Sequence, residues 1–212
     1  MEARSGPLAP VGGPGVHGCP NGTASLSGAS VWPSVAPLGA DRPALTEAAR
    51  RAVSGLRLAP REFRCLDLAS HGWANSQIAQ GLGVSPRTVT GCLSGLFETL
   101  GVPNRAAMVA AGFRLGFLSP EPWRGRPRLD PSIQWLAPLL APIAAGLTDV
   151  EIAGRFGCGA PTLRSRLFRL RELLGARDRG HAVRRGVEAG LLAVSPDGAR
   201  LVLAEPAAGG TS

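Results

Sequence analysis

Residues 72–118 read GWANSQIAQGLGVSPRTVTGCLSGLFETLGVPNRAAMVAAGFRLGFL, and residues 146–192 read GLTDVEIAGRFGCGAPTLRSRLFRLRELLGARDRGHAVRRGVEAGLL. The second run repeats the first 74 positions later without a gap. Gly72 returns as Gly146, Ile78 as Ile152, Gly83 as Gly157, Leu93 as Leu167, Leu100-Gly101 as Leu174-Gly175, and Arg105 as Arg179. Matches dominated by apolar and glycine positions mark one small helical unit written twice.

The spacing inside the first copy predicts four helices. Pro60 suits a first helical turn, and Phe63, Leu66 and Leu68 give an apolar face that Gly72 ends. Asn75 is placed to cap a second helix through Leu82, and Gly83 permits a tight turn. Ser85 caps a third helix with Pro86 in its first turn. Its Val89, Leu93, Leu96 and Leu100 recur at helical spacing until Gly101 stops it. Asn104 caps a fourth, through Leu115. The second copy predicts helices over 149–156, 160–174 and 178–189, while Pro138 and Pro142 interrupt the counterpart of the first helix.

Around these copies the composition changes. Residues 1–40 are rich in Pro, Gly, Ser and Ala without apolar periodicity, and are expected to be a disordered arm. A short lead-in helix is expected within 41–56. The units then occupy 57–118 and 132–193, with a Pro- and Arg-rich linker over 119–131. Where the second unit gives way to the tail, 194–212, Ser195-Pro196-Asp197-Gly198 is turn chemistry between the runs 192–194 and 200–203 and predicts a small hairpin. The expected fold class is all-α: two tandem four-helix units behind the arm.

The charge is one-sided. The 23 basic residues are all Arg, against 15 acids, for a net charge of +8. That balance favours a polyanionic partner, nucleic acid above all. Cys19, Cys65, Cys92 and Cys158 lack metal-ligand spacing, and the last three sit in helical patterns as packed thiols. No residues are arranged for catalysis or metal binding, so neither an enzyme nor a cofactor is expected. No apolar run reaches the ~18 residues of a membrane span, and no signal-peptide pattern opens the chain, so a cytoplasmic protein without a membrane partner is expected.

A short helix, a glycine turn and a longer Ser-capped helix form the arrangement that inserts one helix into a major groove. Leu58-Ala59-Pro60-Arg61-Glu62, Asn75-Ser76-Gln77-Ile78-Ala79, Val84-Ser85-Pro86-Arg87-Thr88-Val89 and Leu100-Gly101-Val102-Pro103-Asn104-Arg105, in that order, resemble the LuxR-type helix-turn-helix domain. The resemblance implies a DNA-binding domain of bacterial transcriptional regulators, with residues 85–100 as the recognition helix. It implies double-stranded DNA as partner, with a homodimer and RNA polymerase as further candidates. About 56 low-complexity residues precede the first unit, so no sensory or receiver domain is expected in this chain.

The copies differ where that family has cations. The first unit has Thr90, Cys92 and Thr99 where the family pattern has Lys, His and Lys. From 57 to 118 it carries six Arg against three acids. The second places Arg164 and Arg166 at the first two of these positions and continues with Arg169 and Arg171. From 124 to 193 it carries twelve Arg against six acids. The expected DNA surface is Ser85, Arg87, Thr88, Thr90 and Gly91 in the first copy, and Thr162, Arg164, Ser165, Arg166 and Arg169 in the second. Other polar residues read as structural: Glu62 and Arg105 as an ion pair, Arg184 and Arg185 as a solvated face, His71 and His181 as surface residues. Trp73 and Trp135 read as packing residues. A rival reading is an adaptor of degenerate helix-turn-helix units that grips another protein.

Overall fold

The computed structural model describes residues 55–122 and 130–204. The expected arm, nearly all of the expected lead-in helix, most of the linker and the end of the tail lie outside them. Helix α1 (Pro60–Ser70) begins with Pro60, whose missing N–H costs nothing there. Glu62 reaches back to accept from the Ala59 amide at 2.8 Å, taking the place of a capping side chain. Helix α2 (Asn75–Leu82) is capped one residue earlier than expected. Ala74 is the cap position and its amide donates to the Gln77 side chain, which leaves the Asn75 side chain free for other partners. Helix α3 (Pro86–Leu100) starts at Ser85, whose hydroxyl accepts from the Thr88 amide, and stops at left-handed Gly101. Helix α4 (Arg105–Arg114) starts at Asn104, whose side chain accepts from the Ala107 amide.

The later elements fall at the offset of the sequence repeat. Pro138 and Pro142 break the first into α5 (Ile133–Leu136), a 3-10 turn (Ala137–Leu139) and α6 (Leu140–Ala144). Then come α7 (Asp149–Arg155), α8 (Ala160–Leu174) and α9 (Arg179–Glu188). Strands β1 (Leu192–Val194) and β2 (Leu201–Leu203) pair antiparallel, Leu192 opposite Leu203. The hairpin falls on the two apolar runs expected to flank the Ser195–Gly198 turn, and Leu192 and Leu201 anchor it in the core. The described residues are mostly helical with little strand.

Tertiary contacts repeat as well. A Cβ on Gly112 would meet Leu118 and Leu66, and a Cβ on Gly186 would meet Leu192 and Leu140, the same positions 74 residues on. Ile78, Val89, Leu96 and Leu100 are buried, as are Ile152, Leu163, Leu170 and Leu174. All join one hydrophobic cluster that runs through both segments. At its centre α4 packs on α9. Residues 106–113 of α4 are all buried, which an amphipathic surface helix would not be.

Polar side chains seal this junction, and two of them correct the sequence reading. Arg184, expected on a solvated face, is 3% exposed. It donates to Glu188 at 2.8 Å, to Ser70 at 2.8 Å and to Glu121 at 3.0 Å, which ties α9 to α1 and to the segment after α4. A charge this buried persists only with such partners. His181, expected on the surface, is 4% exposed. Its Nδ1 accepts from the Arg177 amide at 3.1 Å, while its Nε2 is buried with no hydrogen-bond partner among the described residues. The expected Glu62–Arg105 pair is also replaced, because Arg105 turns to Asp178 at 3.1 Å. Cys65 and Cys92 pack within helices as expected, and burial with the neighbouring Cys65 pushes the Cys92 thiol up to about 12, whereas Cys158 packs from the turn between α7 and α8 and Cys19 lies outside the described residues.

Gly72 and Gly146 show why glycine is needed at the junction. Both have positive φ, and a Cβ on Gly146 would lie 2.7 Å from Pro103 and 3.0 Å from Ala107. Gly190 also has positive φ but opens onto empty space. Gly146→Ala is therefore expected to cost about 1–3 kcal/mol more than Gly190→Ala in denaturant unfolding, the excess being the contact alone.

His181 generates a second expectation. Burial holds it down at about 4 against an ordinary 6.5, with Asp178 opposing and His71, Arg177 and Arg184 adding to the effect. The unfolded chain therefore takes up this proton first. Its contribution is fully present above pH 6.5 and is lost as pH falls towards 4. Unfolding followed from pH 7 to 4.5 should show the native protein losing about 1–3 kcal/mol more than His181→Ala. Alanine is the residue at the matching position, 107.

Candidate nucleic-acid interface

The outward face of α3 is built by its own start. Ser85, Arg87, Thr88, Thr90 and Gly91 are all exposed, while Val89 and Leu93 point inward. Two of the hydroxyls are spoken for locally: those of Ser85 and Thr88 lie 2.8 Å apart, and Ser85 also caps the helix. The Thr90 hydroxyl donates to the Pro86 carbonyl at 3.0 Å and accepts from Asn75 at 3.3 Å. Arg87 is the single cation in this set, and Gly91 leaves the surface open beside it.

Behind α3 runs a polar chain that the sequence reading missed. Arg105, the first residue of α4, donates to the Trp73 carbonyl at 3.1 Å and to Asn75 at 3.2 Å, and Asn75 in turn holds Thr90. Asp178 accepts from the same guanidinium at 3.1 Å, so the cap residue of α9 is tied into the α2–α3 corner. The matching residues form the matching clamp: Arg179 pairs with Asp149 at the start of α7. The signal was the recurrence of Arg105 as Arg179, at the start of both helices. In the first corner the chain runs on through Asn75 to Thr90 and so links α2 to α3, whereas the second pair joins α9 to α7.

The face of α8 has the same plan and a different chemistry. Thr162, Arg164, Ser165 and Arg169 are exposed, and Arg166 is half-buried. Ser165 donates to the Pro161 carbonyl at 3.2 Å, as Thr90 does to Pro86 on α3. Arg169 sits 3.5 Å from Glu172. Its charge also reaches Asp130, whose carboxyl is held below the usual range chiefly by hydrogen bonds from Ser132. Arg164 has neither encumbrance, standing exposed with no ion pair among the described residues. Gly159 caps α8 without a side chain, so the first-turn amides face outward unclaimed by one, whereas Ser85 covers its counterpart. Phe168, one turn beyond Arg164, is 55% exposed and was not among the expected site residues. A guanidinium can read a base edge, and an exposed ring one turn on can touch a thymine methyl.

Trp73 packs as expected, its ring lying against Gly81, while Trp135 is half-exposed on α5. No helix among the described residues is long and apolar enough to cross a membrane.

Comparison with known proteins bears on the first segment. Residues 56–111 match the family described as bacterial regulatory proteins, luxR family. A relative from Hyphomicrobium methylovorum, named "Probable transcriptional regulatory protein SgaR", is 45% identical over 53 residues, 25% of this chain. The chain spans a quarter of that relative's length. No solved structure matches. Residues 56–111, with α2, the Gly83 turn and the exposed start of α3, thus form a LuxR-type helix-turn-helix, a DNA-binding domain of transcription regulation.

Proposed function

We propose that the chain is a sequence-specific duplex-DNA-binding transcriptional regulator built of two helix-turn-helix units, 57–118 and 132–193. It acts in the cytoplasm by occupying promoters that RNA polymerase uses, without catalysis. The observation that carries this reading is the outward face of α8, where Arg164 is exposed with no ion pair among the described residues and Arg166 and Arg169 follow it. The LuxR-type domain at 56–111 gives the class of function. The second segment adds the charge that the first lacks. In this reading Ser85, Arg87, Thr88, Thr90 and Gly91 meet one part of the DNA, and Thr162, Arg164, Ser165, Arg166 and Arg169 meet another.

One observation favours a second reading. Val150 is 82% exposed and Phe168 55%, both on the second segment, and large exposed apolar side chains also suit a protein partner. An adaptor of this kind would not retain duplex DNA at low salt.

Binding to duplex DNA at two salt concentrations separates the two. A regulator should lose affinity steeply, with a log–log slope of roughly −0.9 for each phosphate neutralised. No retention at the lower salt would favour the adaptor. Arg164→Ala should cost about 1–3 kcal/mol of specific affinity if its contact is a base edge, and more than Arg87→Ala does. If the contact is phosphate, binding weakens evenly across sequences and the salt slope flattens by about one contact. Equal effects of the two substitutions would contradict the proposed weight on α8.

A further inference from the structure

The packing of the two segments is reciprocal. A Cβ on Gly72 would meet Arg177 and His181, and a Cβ on Gly146 would meet Pro103 and Ala107. Shifted by 74 positions, 177 is 103, 181 is 107 and 146 is 72, so each contact is the other with the segments exchanged. That is the signature of a two-fold, isologous junction, in which i touches j and j touches i. Segments stacked head to tail would instead present unlike surfaces to each other.

The junction is also closed. α4 is buried over residues 106–113, and α9 is buried from Gly180 to Arg184. The Arg184 network and the Arg105–Asp178 pair cross it. Each fourth helix is thereby covered by the fourth helix of the other segment, and this surface is not open to a second copy of the chain.

We infer that one copy of the chain is its own two-fold partner, placing α3 and α8 on an inverted pair of unlike DNA half-sites without a second copy. This rests on the DNA-binding reading above. A two-fold axis between the helix-turn-helix corners presents their outer helices to the duplex in opposite senses, so the two elements are read as an inverted pair at one fixed spacing. The elements are unlike because the faces are: Thr90, Gly91 and Ser94 on α3 stand where Arg164, Ser165 and Phe168 stand on α8. A natural site would carry no visible palindrome, although its geometry is that of one.

The test selects duplexes from a random pool with the whole chain and weighs the complexes by native mass spectrometry. Selection is then repeated with Thr90→Arg/Gly91→Ser/Ser94→Phe, three exposed positions that give α3 the face of α8. The native chain should bind its selected duplex one to one, and the triple variant should select an inverted repeat of the native chain's α8 element. Two chains per duplex, a direct repeat, or a site with one element would overturn the inference while leaving DNA binding intact. No duplex retained at all would remove the DNA-binding reading and the inference together. Should the variant fail to fold, the native complex decides: one chain protecting two elements of its selected duplex upholds the inference, and two chains per duplex or a single protected element overturns it.

Discussion

The approach of the Gly72 and Gly146 backbones to the opposite fourth-helix starts sets the geometry of everything else. Each glycine ends a helical segment with positive φ and leaves room for side chains from the other segment. With that room, α4 and α9 come together, the two apolar clusters merge into one, and Arg184 finds its acceptors. A unit of roughly 60 residues is marginal alone, and sharing a core relieves that limit. Burying the guanidinium of Arg184 and the imidazole of His181 is a consequence of that closeness.

Polar contacts run from the same junction into the first helix-turn-helix corner. Arg105 and Arg179 stand at the starts of the two central helices and clamp the first residues of α2 and α7. Asp178 extends the first clamp across the junction. The exposed start of α3 is thus held from behind through Asn75 and Thr90, while Arg179 and Asp149 hold α7, the helix before α8. The outward side chains of α3 and α8 diverge. α3 spends its hydroxyls on its own cap and on Asn75, whereas on α8 Arg164 has no ion pair among the described residues.

Most helices were legible because local rules decide them. α8 occupies the expected residues, 160–174, and α3 follows its expected cap at Ser85, since glycine stops and apolar spacing act within one helix. The proline break in 133–144 was legible for the same reason. What escaped the sequence depends on distance along the chain. Arg184 meets Ser70 across 114 positions, and no periodicity reports that two charges on a helix will be buried by a partner so remote. His181 was misplaced for the same cause. Asn75 was read as a cap because its type favours one, but Arg105 and Thr90 take its side chain and Ala74 holds the cap position. At the candidate site the residue types were legible, and the encumbrances of Thr90 and Arg169 were not.

The most direct measurement is backbone amide chemical shift during titration with duplex DNA at low salt. Shifts should concentrate at residues 85–91 and 162–169, and the amides of α4 and α9 should stay unmoved. Shifts centred on α4 and α9, or none anywhere, would contradict the view that the outer helices face the duplex while the fourth helices hold them in place.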